Sequence, residues 1–249
     1  MPDLNKANRE VCDVDIRSLK DKSPFLFFDT ANTTTTGLSG DSVYAMAKGQ
    51  RRIAYHNPMT GTMTLEAQVY PFRLFALLTD GIIEATGIYA AHETVTATAG
   101  KVTLTPGTNR TVTAGTVCVY PKGAFGEGDP IEGSFSNNVF TATTASNIAA
   151  GTEYEVGYMV EATSGVKKIS FANNKVPRDY YITMRTLDKD EDGKLTPFLM
   201  VAHKATVQRS WELSFTSEGD PASVTVTFDL LEDKDGQILD MIELTDEAD

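Results

Sequence analysis

The 249-residue sequence is poor in the side chains on which most protein chemistry rests, with two cysteines, three histidines and one tryptophan. Cys12 and Cys118 lie far apart without any metal-type spacing, so they form no disulfide framework and read as free thiols, Cys118 within a strand. His56, His92 and His203 stand alone, with no HxH, HExxH or His/Cys cluster, so a metal site or a nucleophilic triad would have to be assembled wholly by the fold. No GxSxG elbow occurs, since GLSGD at 37–41 has the wrong spacing. The glycines of 123–129 are followed by no Lys-Ser/Thr and no helix, which disfavours mononucleotide chemistry. Long apolar runs are missing as well. The longest are short pieces such as 74–78 and 198–202, against about 20 residues for a membrane helix. The N-terminal stretch lacks the apolar run of an export signal, so a cytoplasmic chain is the default expectation.

Disorder is excluded by composition, because 41% apolar and 22% charged residues match ordinary globular usage and can offset the chain entropy lost on folding. Charge is acidic and uneven. The net formal charge is −12, and residues 218–249 hold eleven acids and one base, or −10, leaving −2 for the rest. Such a balance disfavours tight binding to phosphate backbones, which Lys and Arg drive by displacing counterions. A polyanion could pass along this chain without sticking.

Threonine is abundant, with 32 residues, and falls at alternate positions in several places, such as Thr94, Thr96 and Thr98 or Thr225 and Thr227. Period-2 runs of β-branched residues predict strands at 63–70, 101–105, 116–120, 153–162, 180–187, 205–216 and 223–231. Turn residues separate them at 57–61, 99–100, 164–165, 190–193, 217–221 and 233–236. The fold class is therefore mainly β, a sandwich or barrel. One segment departs from it: Pro71, then Phe72, Phe75, Ala76 and Leu78 at helical spacing, then Asp80-Gly81, which predicts a short flanking α-helix over 71–79. Residues 94–164 form a Thr/Gly-rich block with three bases and six acids and read as an inserted β subdomain. Residues 31–42 show no periodicity and read as a long mobile loop.

The nearest imitation of a metal site is the stretch 187–195, where Asp188, Asp190, Asp192 and Gly193 match the first half of a calcium loop. The twelfth position is Leu199 instead of a bidentate Glu, so a solvated hairpin turn is the preferred reading and a weak calcium or magnesium site the runner-up. The shorter 233–236 version reads the same way. No pair of acids suggests glycoside cleavage, and no catalytic residue, cofactor or metal ligand is assigned. Trp211 shares one face of the predicted 205–216 strand with Val207, Arg209, Leu213 and Phe215 and is expected in the core. Gln208, Ser210, Glu212 and Ser214 take the other, polar face, which could line water-filled space.

Several features then fall into a familiar order. Val176-Pro177 precedes an aromatic strand, an acidic DG hairpin follows, a polar strand pair is entered by His203-Lys204-Ala205, the 217–221 turn comes next, and a closing strand ends in DG. With the strand, turn and helix around residues 63–81, this resembles the tail tube (major tail) proteins of tailed bacteriophages, most of all those of large contractile-tailed phages. The likeness covers about 43–93 and 165–244. It divides the chain into 1–93, an N-terminal arm and first half of the tube domain, 94–164, the insertion, and 165–249, the second half with an acidic tail.

The resemblance implies a non-enzymatic virion protein, assembled in the host cytoplasm, whose copies form hexameric rings stacked into a tail tube. Its partners would be other copies of itself, the tail sheath and baseplate or hub proteins, with genomic DNA passing transiently through an acidic lumen and no membrane span. Docking is expected through the loop 31–42 and the N-terminal arm. The lumen is expected from 180–187 paired with 205–216, or from 63–70 paired with 43–48. The alternative is a surface-exposed decoration or carbohydrate-binding protein of a virion. A calcium-dependent enzyme or adhesin at Asp188, Asp190 and Asp192 is a further competitor, and a capsid protein is disfavoured because no long helix resembling a capsid spine appears.

Overall fold

The computed structural model describes residues 5–213, 219 and 221–245. It is 51% strand and 6% helical, so the mainly β class holds. The chain forms two compact units, Met1–Ile82 with Ser170–Asp249, and Ile83–Ile169. The first unit opens with β1 (Lys6–Asn8), β2 (Asp13–Ser18), β3 (Pro24–Phe28), β4 (Thr33–Ser39), β5 (Ser42–Ala47), β6 (Gln50–His56) and β7 (Thr60–Ala67). The second unit holds β8 (Gly87–Thr96), β9 (Lys101–Thr103), β10 (Arg110–Val112), β11 (Cys118–Pro121), β12 (Gly133–Ser136), β13 (Val139–Ala142) and β14 (Glu153–Ala162). The chain then returns to the first unit with β15 (Asp179–Asp190), β16 (Leu195–Val207), β17 (Val224–Leu230) and β18 (Leu239–Glu243).

The first unit is built on a nine-stranded antiparallel sheet of order β3-β2-β15-β16-β17-β7-β4, with β1 added to β15 and β18 to β16. Strands β7 and β17 alternate strictly. Met63, Leu65 and Ala67 on β7 and Val224, Val226, Phe228 and Leu230 on β17 are buried, while the residues between them are exposed or half-buried. The buried faces of β2, β3, β7, β15, β16 and β17 meet in one core with Leu74, Leu77 and Leu78. One face of a single sheet can feed one core only if the sheet curls around it, which the right-handed twist of strands favours. The helical segment starts after Pro71 as expected, but it winds as a 3-10 helix, Phe72–Leu78, with Leu74, Ala76, Leu77 and Leu78 buried. Seven residues give no room for two full α-helical turns, and tight 3-10 winding is common in such short pieces.

The second unit is a sandwich of a four-stranded sheet, β10-β14-β11 with β8 paired to β14, and a three-stranded sheet, β12-β13-β9. Val156 and Val160 from one sheet and Val102 and Phe140 from the other share its separate core. Its strand β8 crosses position 93, where the sequence reading divides the chain. Gly157 on β14 carries the Phe125 ring so closely that an added Cβ would lie 2.5 Å from it. The β12–β13 turn is Asn137-Asn138, both at positive φ (52° and 62°), the conformation that two-residue hairpin turns demand.

Three expectations are overturned. Residues 33–39 are strand β4, paired along its length with β7, where a mobile loop was expected. The strand expected at 205–216 ends at Val207 and begins instead at Leu195. Its partner β15 runs to Asp190, so the pair joins 179–190 to 195–207, and neither proposed lumen pair forms as drawn. Segment 43–48 pairs with 50–56, while β7 lies between β4 and β17. The turn at 217–221 falls largely outside the described residues, as do Ser214 and Phe215.

Two stability tests follow. Phe228 is fully buried on β17 and Thr225 lies exposed on the same strand. Phe228→Ala is expected to cost about 3–5 kcal/mol, and Thr225→Ala less than about 1 kcal/mol, both read from denaturant midpoints. Equal losses would contradict the register. Tyr180 is 1% exposed and its hydroxyl has no hydrogen-bond partner among the described residues. Burial pushes its pKa up to about 12. Because the folded state resists ionisation, the stability linked to this group is complete below pH 10 and is lost as pH rises from there towards 12. Tyr180→Phe is expected to remove that part of the alkaline decline while leaving neutral-pH stability unchanged or slightly raised, since no bond is lost.

Candidate assembly surface

Among the described residues, a cluster of exposed apolar side chains lies at one end of an antiparallel ribbon. Its proximal half is β4 with β7, in register from Thr33↔Glu66 to Ser39↔Thr60. Its distal half is β5 with β6, from Ser42↔His56 to Ala47↔Gln50. Among the described residues the distal half is a two-stranded sheet by itself. Lys48 (φ 51°) and Gly49 (φ 77°) make the two-residue turn at its tip. At its base the Asn57 amide donates to the Asp41 carbonyl at 2.9 Å, and His56 Nδ1 lies 2.9 Å from the Ser42 hydroxyl.

No residue of this hairpin is buried, although Val43, Met46, Ile53 and Tyr55 are large and apolar and between 56% and 61% exposed. An isolated two-stranded hairpin is marginal in water, and patches of this kind mark interaction sites in soluble proteins. Between residues 31 and 59 the cations Lys48, Arg51 and Arg52 face a single acid, Asp41, in a chain of net charge −12. The Arg51 guanidinium sits 4.3 Å over the Tyr44 ring, which holds a charge beside the apolar surface.

Behind the hairpin, the sheet face opposite the core is a ladder of hydroxyls and carboxylates. Thr62, Thr64 and Glu66 on β7 lie between Thr33, Thr35 and Gly37 on β4 and Thr225, Thr227 and Asp229 on β17. Thr64 and Thr227 hydroxyls are 3.2 Å apart, and Gln208 donates to Asp229 at 2.7 Å. The two ends of the sheet order are β3 and β4. Strand β4, TTTTGLS, has neither charge nor proline to block its open edge, and β3 exposes Phe27 by 61%.

The carboxylates singled out as a runner-up metal site do not converge. Asp190 Oδ1 accepts the Lys194 amide at 2.8 Å and so caps its own hairpin turn, while Asp188 accepts from Asn8 at 2.9 Å. No three His, Cys, Asp or Glu among the described residues are placed to hold a metal. In the 233–236 turn the backbone amide of Gln237, helped by that of Asp235, holds the Asp233 carboxyl below its ordinary range. His203, isolated in sequence, meets Asp240 at 2.8 Å and Asp233 at 4.0 Å. Cys12 and Cys118 are free thiols. Trp211 is not in a strand or the core: it is 38% exposed, stacked on Phe171 at 5.2 Å and tilted against Phe75 at 5.6 Å.

Sequence reasoning missed the hairpin as a unit. The signal was present, since Lys48-Gly49 lies between two short apolar runs, but no net alternation marks a ribbon exposed on both faces. Among the described residues no helix is long and apolar enough to cross a membrane.

No curated protein matches this chain. The sequence model described as the YomU/Tube protein family matches residues 8–244, spanning both units and the whole ribbon. That match bears out the resemblance to phage tail tube proteins. The chain belongs to the YomU/Tube protein family.

Proposed function

We propose that this chain is the structural, non-enzymatic subunit of a phage tail tube, self-assembling into hexameric rings that stack around a channel for DNA. The observation that carries the reading is the cationic, apolar hairpin 42–56, which has no further partner strand among the described residues. A second copy is the economical partner, because the remainder of the molecule is acidic and attracts Lys48, Arg51 and Arg52. The open edges of β3 and β4 support lateral closure, since ring formation removes edges that would otherwise invite aggregation. The threonine and carboxylate face of β4, β7 and β17 is the proposed channel wall, offering DNA hydration and like charge instead of cations.

Magnitudes favour a many-membered assembly over a dimer. Burying what remains exposed of Val43, Met46, Ile53 and Tyr55, a little over half of each, contributes about 3–7 kcal/mol at roughly 1.5–3 per fully transferred side chain, whereas association costs about 4–15 kcal/mol. One docked hairpin sits near balance. Closed rings that seat many hairpins at once shift the balance decisively. In this reading the tube lies in the virion tail of a large contractile-tailed phage, is assembled in the host cytoplasm, and contacts sheath and baseplate or hub proteins.

Negative-stain electron microscopy across a concentration series tests the proposal, with rings or hollow tubes expected. Ile53→Asp is expected to abolish stacking while leaving the monomer's melting temperature within a few degrees, because the site is already solvent-exposed. Dispersed particles at every concentration for the unsubstituted chain would sink the reading.

A further inference from the structure

Strands β17 and β18 lie end to end along one edge of β16, since Leu230 pairs with Ala205 and Leu239 with Ala202. Residues 231–238 therefore stand opposite only His203 and Lys204 and loop out of an otherwise continuous strand line. The loop is stapled at its base. There the Leu231 amide donates to the Lys204 carbonyl at 2.9 Å and the His203 amide to the Ile238 carbonyl at 3.3 Å. On the far side of this strand line the neighbour is lost at the same point. Strand β7 runs beside β17 as far as Gly61 opposite Leu230, and towards its N-terminal side the ribbon passes through Asn57-Pro58-Met59 into β6. Among the described residues β18 pairs with β16 alone and β6 with β5 alone.

The antiparallel β17–β7 ladder thus ends with both of its continuations unpaired, and the two match in direction, because β18 prolongs β17 and β6 prolongs β7. Within one chain their union is obstructed. The 231–238 loop stands at the junction, and Pro58 has no N–H to carry a ladder across it. We infer that the free edge of β18 receives β6 from the hairpin of a second copy, which adds to it as an antiparallel strand. The inference rests on the self-assembly reading above and names where the hairpin lands. In strand addition the main chain supplies the bonds and the side chains the fit. Met241 and Ile242, adjacent on β18 and so on opposite faces, are 65% and 39% exposed. The hairpin likewise exposes apolar groups on both faces, Val43 and Tyr55 on one and Tyr44 on the other. Charge points the same way: residues 231–243 hold five acids and one base, residues 42–56 three bases and no acid. Lys6 at Glu243 and His203 between Asp233 and Asp240 reduce that acidic excess without reversing it, and Glu232 and Asp235 stand exposed. Strands β3 and β4, at the two ends of the sheet order, contain no acid.

Hydrogen exchange is measured on the unsubstituted chain below and above the concentration at which light scattering and electron microscopy show assemblies. The amides of 239–243 and of 50–56 are both expected to slow at least tenfold on assembly. Disulfide cross-linking then identifies the pair, in a Cys118→Ser background that leaves only the buried Cys12. Chains carrying Met241→Cys are mixed with chains carrying one cysteine substitution at a position from 51 to 55. Linked dimers are expected, strongest at alternate positions as a strand requires. A Tyr55→Cys/Met241→Cys chain kept dilute and monomeric is expected to form no internal disulfide. If assemblies form while 239–243 exchanges as in the monomer, or while no position from 51 to 55 links to the Met241→Cys chain, the hairpin lands elsewhere, although self-assembly stands. An internal disulfide in the dilute double variant would seat the hairpin on its own chain and overturn the inference as well. If no assemblies form at any concentration, both readings fall.

Discussion

One ribbon of backbone, from Thr33 to Ala67, has to satisfy two environments at once, and much of the first unit is arranged around that demand. Where the ribbon is β4 and β7, it completes the nine-stranded sheet, buries Met63, Leu65 and Ala67, and finds β17 on its other side. Where it is β5 and β6, the two strands pair only with each other among the described residues, and their apolar side chains face solvent. Main-chain hydrogen bonding is satisfied between the two distal strands, but the hydrophobic effect is not, because two strands cannot enclose a core. Anchoring one half in a large sheet keeps the other half extended without a core of its own. Gly61 marks the crossing. It sits in β7 where Leu38 and Leu230 converge, and a Cβ there would lie 2.6 Å from Leu38.

Charge is segregated along the same lines. The hairpin carries Lys48, Arg51 and Arg52, whereas residues 170–249 carry 17 of the first unit's 26 acids. Several of those acids are already engaged within the chain: Asp240 with His203, Glu243 with Lys6, Asp179 with Lys204 at 3.7 Å. Such exposed pairs contribute little to folding stability. Their consequence is that the molecule presents regions of opposite sign, which orient an encounter between copies more than they strengthen it. Self-association through unlike faces is the arrangement that closes rings or extends filaments, whereas like faces give dimers.

The parts of this fold legible in the sequence are those whose physics is local. Strand β14 spans 153–162 as read, because Tyr154, Val156, Tyr158 and Val160 alternate with Glu, Gly and Met over ten residues. Pro71 announced a helical turn, and the acidic DG segment announced a hairpin. What could not be read was pairing. Thr33–Ser39 looks like a loop because threonine and glycine carry little alternation of hydrophobicity, yet Thr34 and Thr36 face inwards and Thr33 and Thr35 outwards once β7 lies beside them. The segment 208–213 kept a period of two past the point where β16 ends. There Gln208 still bonds the Thr227 carbonyl at 2.8 Å, and beyond it the helix end and the 171–175 loop offer Trp211 an aromatic contact instead of a sheet. A period of two cannot tell a strand's interior from a strand's departure.

The second unit shows the same division between local and long-range physics. Glu84 and Lys168 bridge reciprocally, each amide donating to the other's carbonyl at 2.9 Å, and their side chains pair at 2.6 Å. The chain thus enters and leaves this unit through one clamped bridge between two residues outside the strands. The unit has a core of its own around Val156, Val102 and Phe140. Short separation between the ends of an inserted unit is what makes insertion tolerable to the host sheet. The host's sheet order confirms the economy: β7 and β17 pair directly although 156 residues of chain separate Ala67 from Val224. Long-range pairing of that kind is set by the shared buried face of the first unit's sheet.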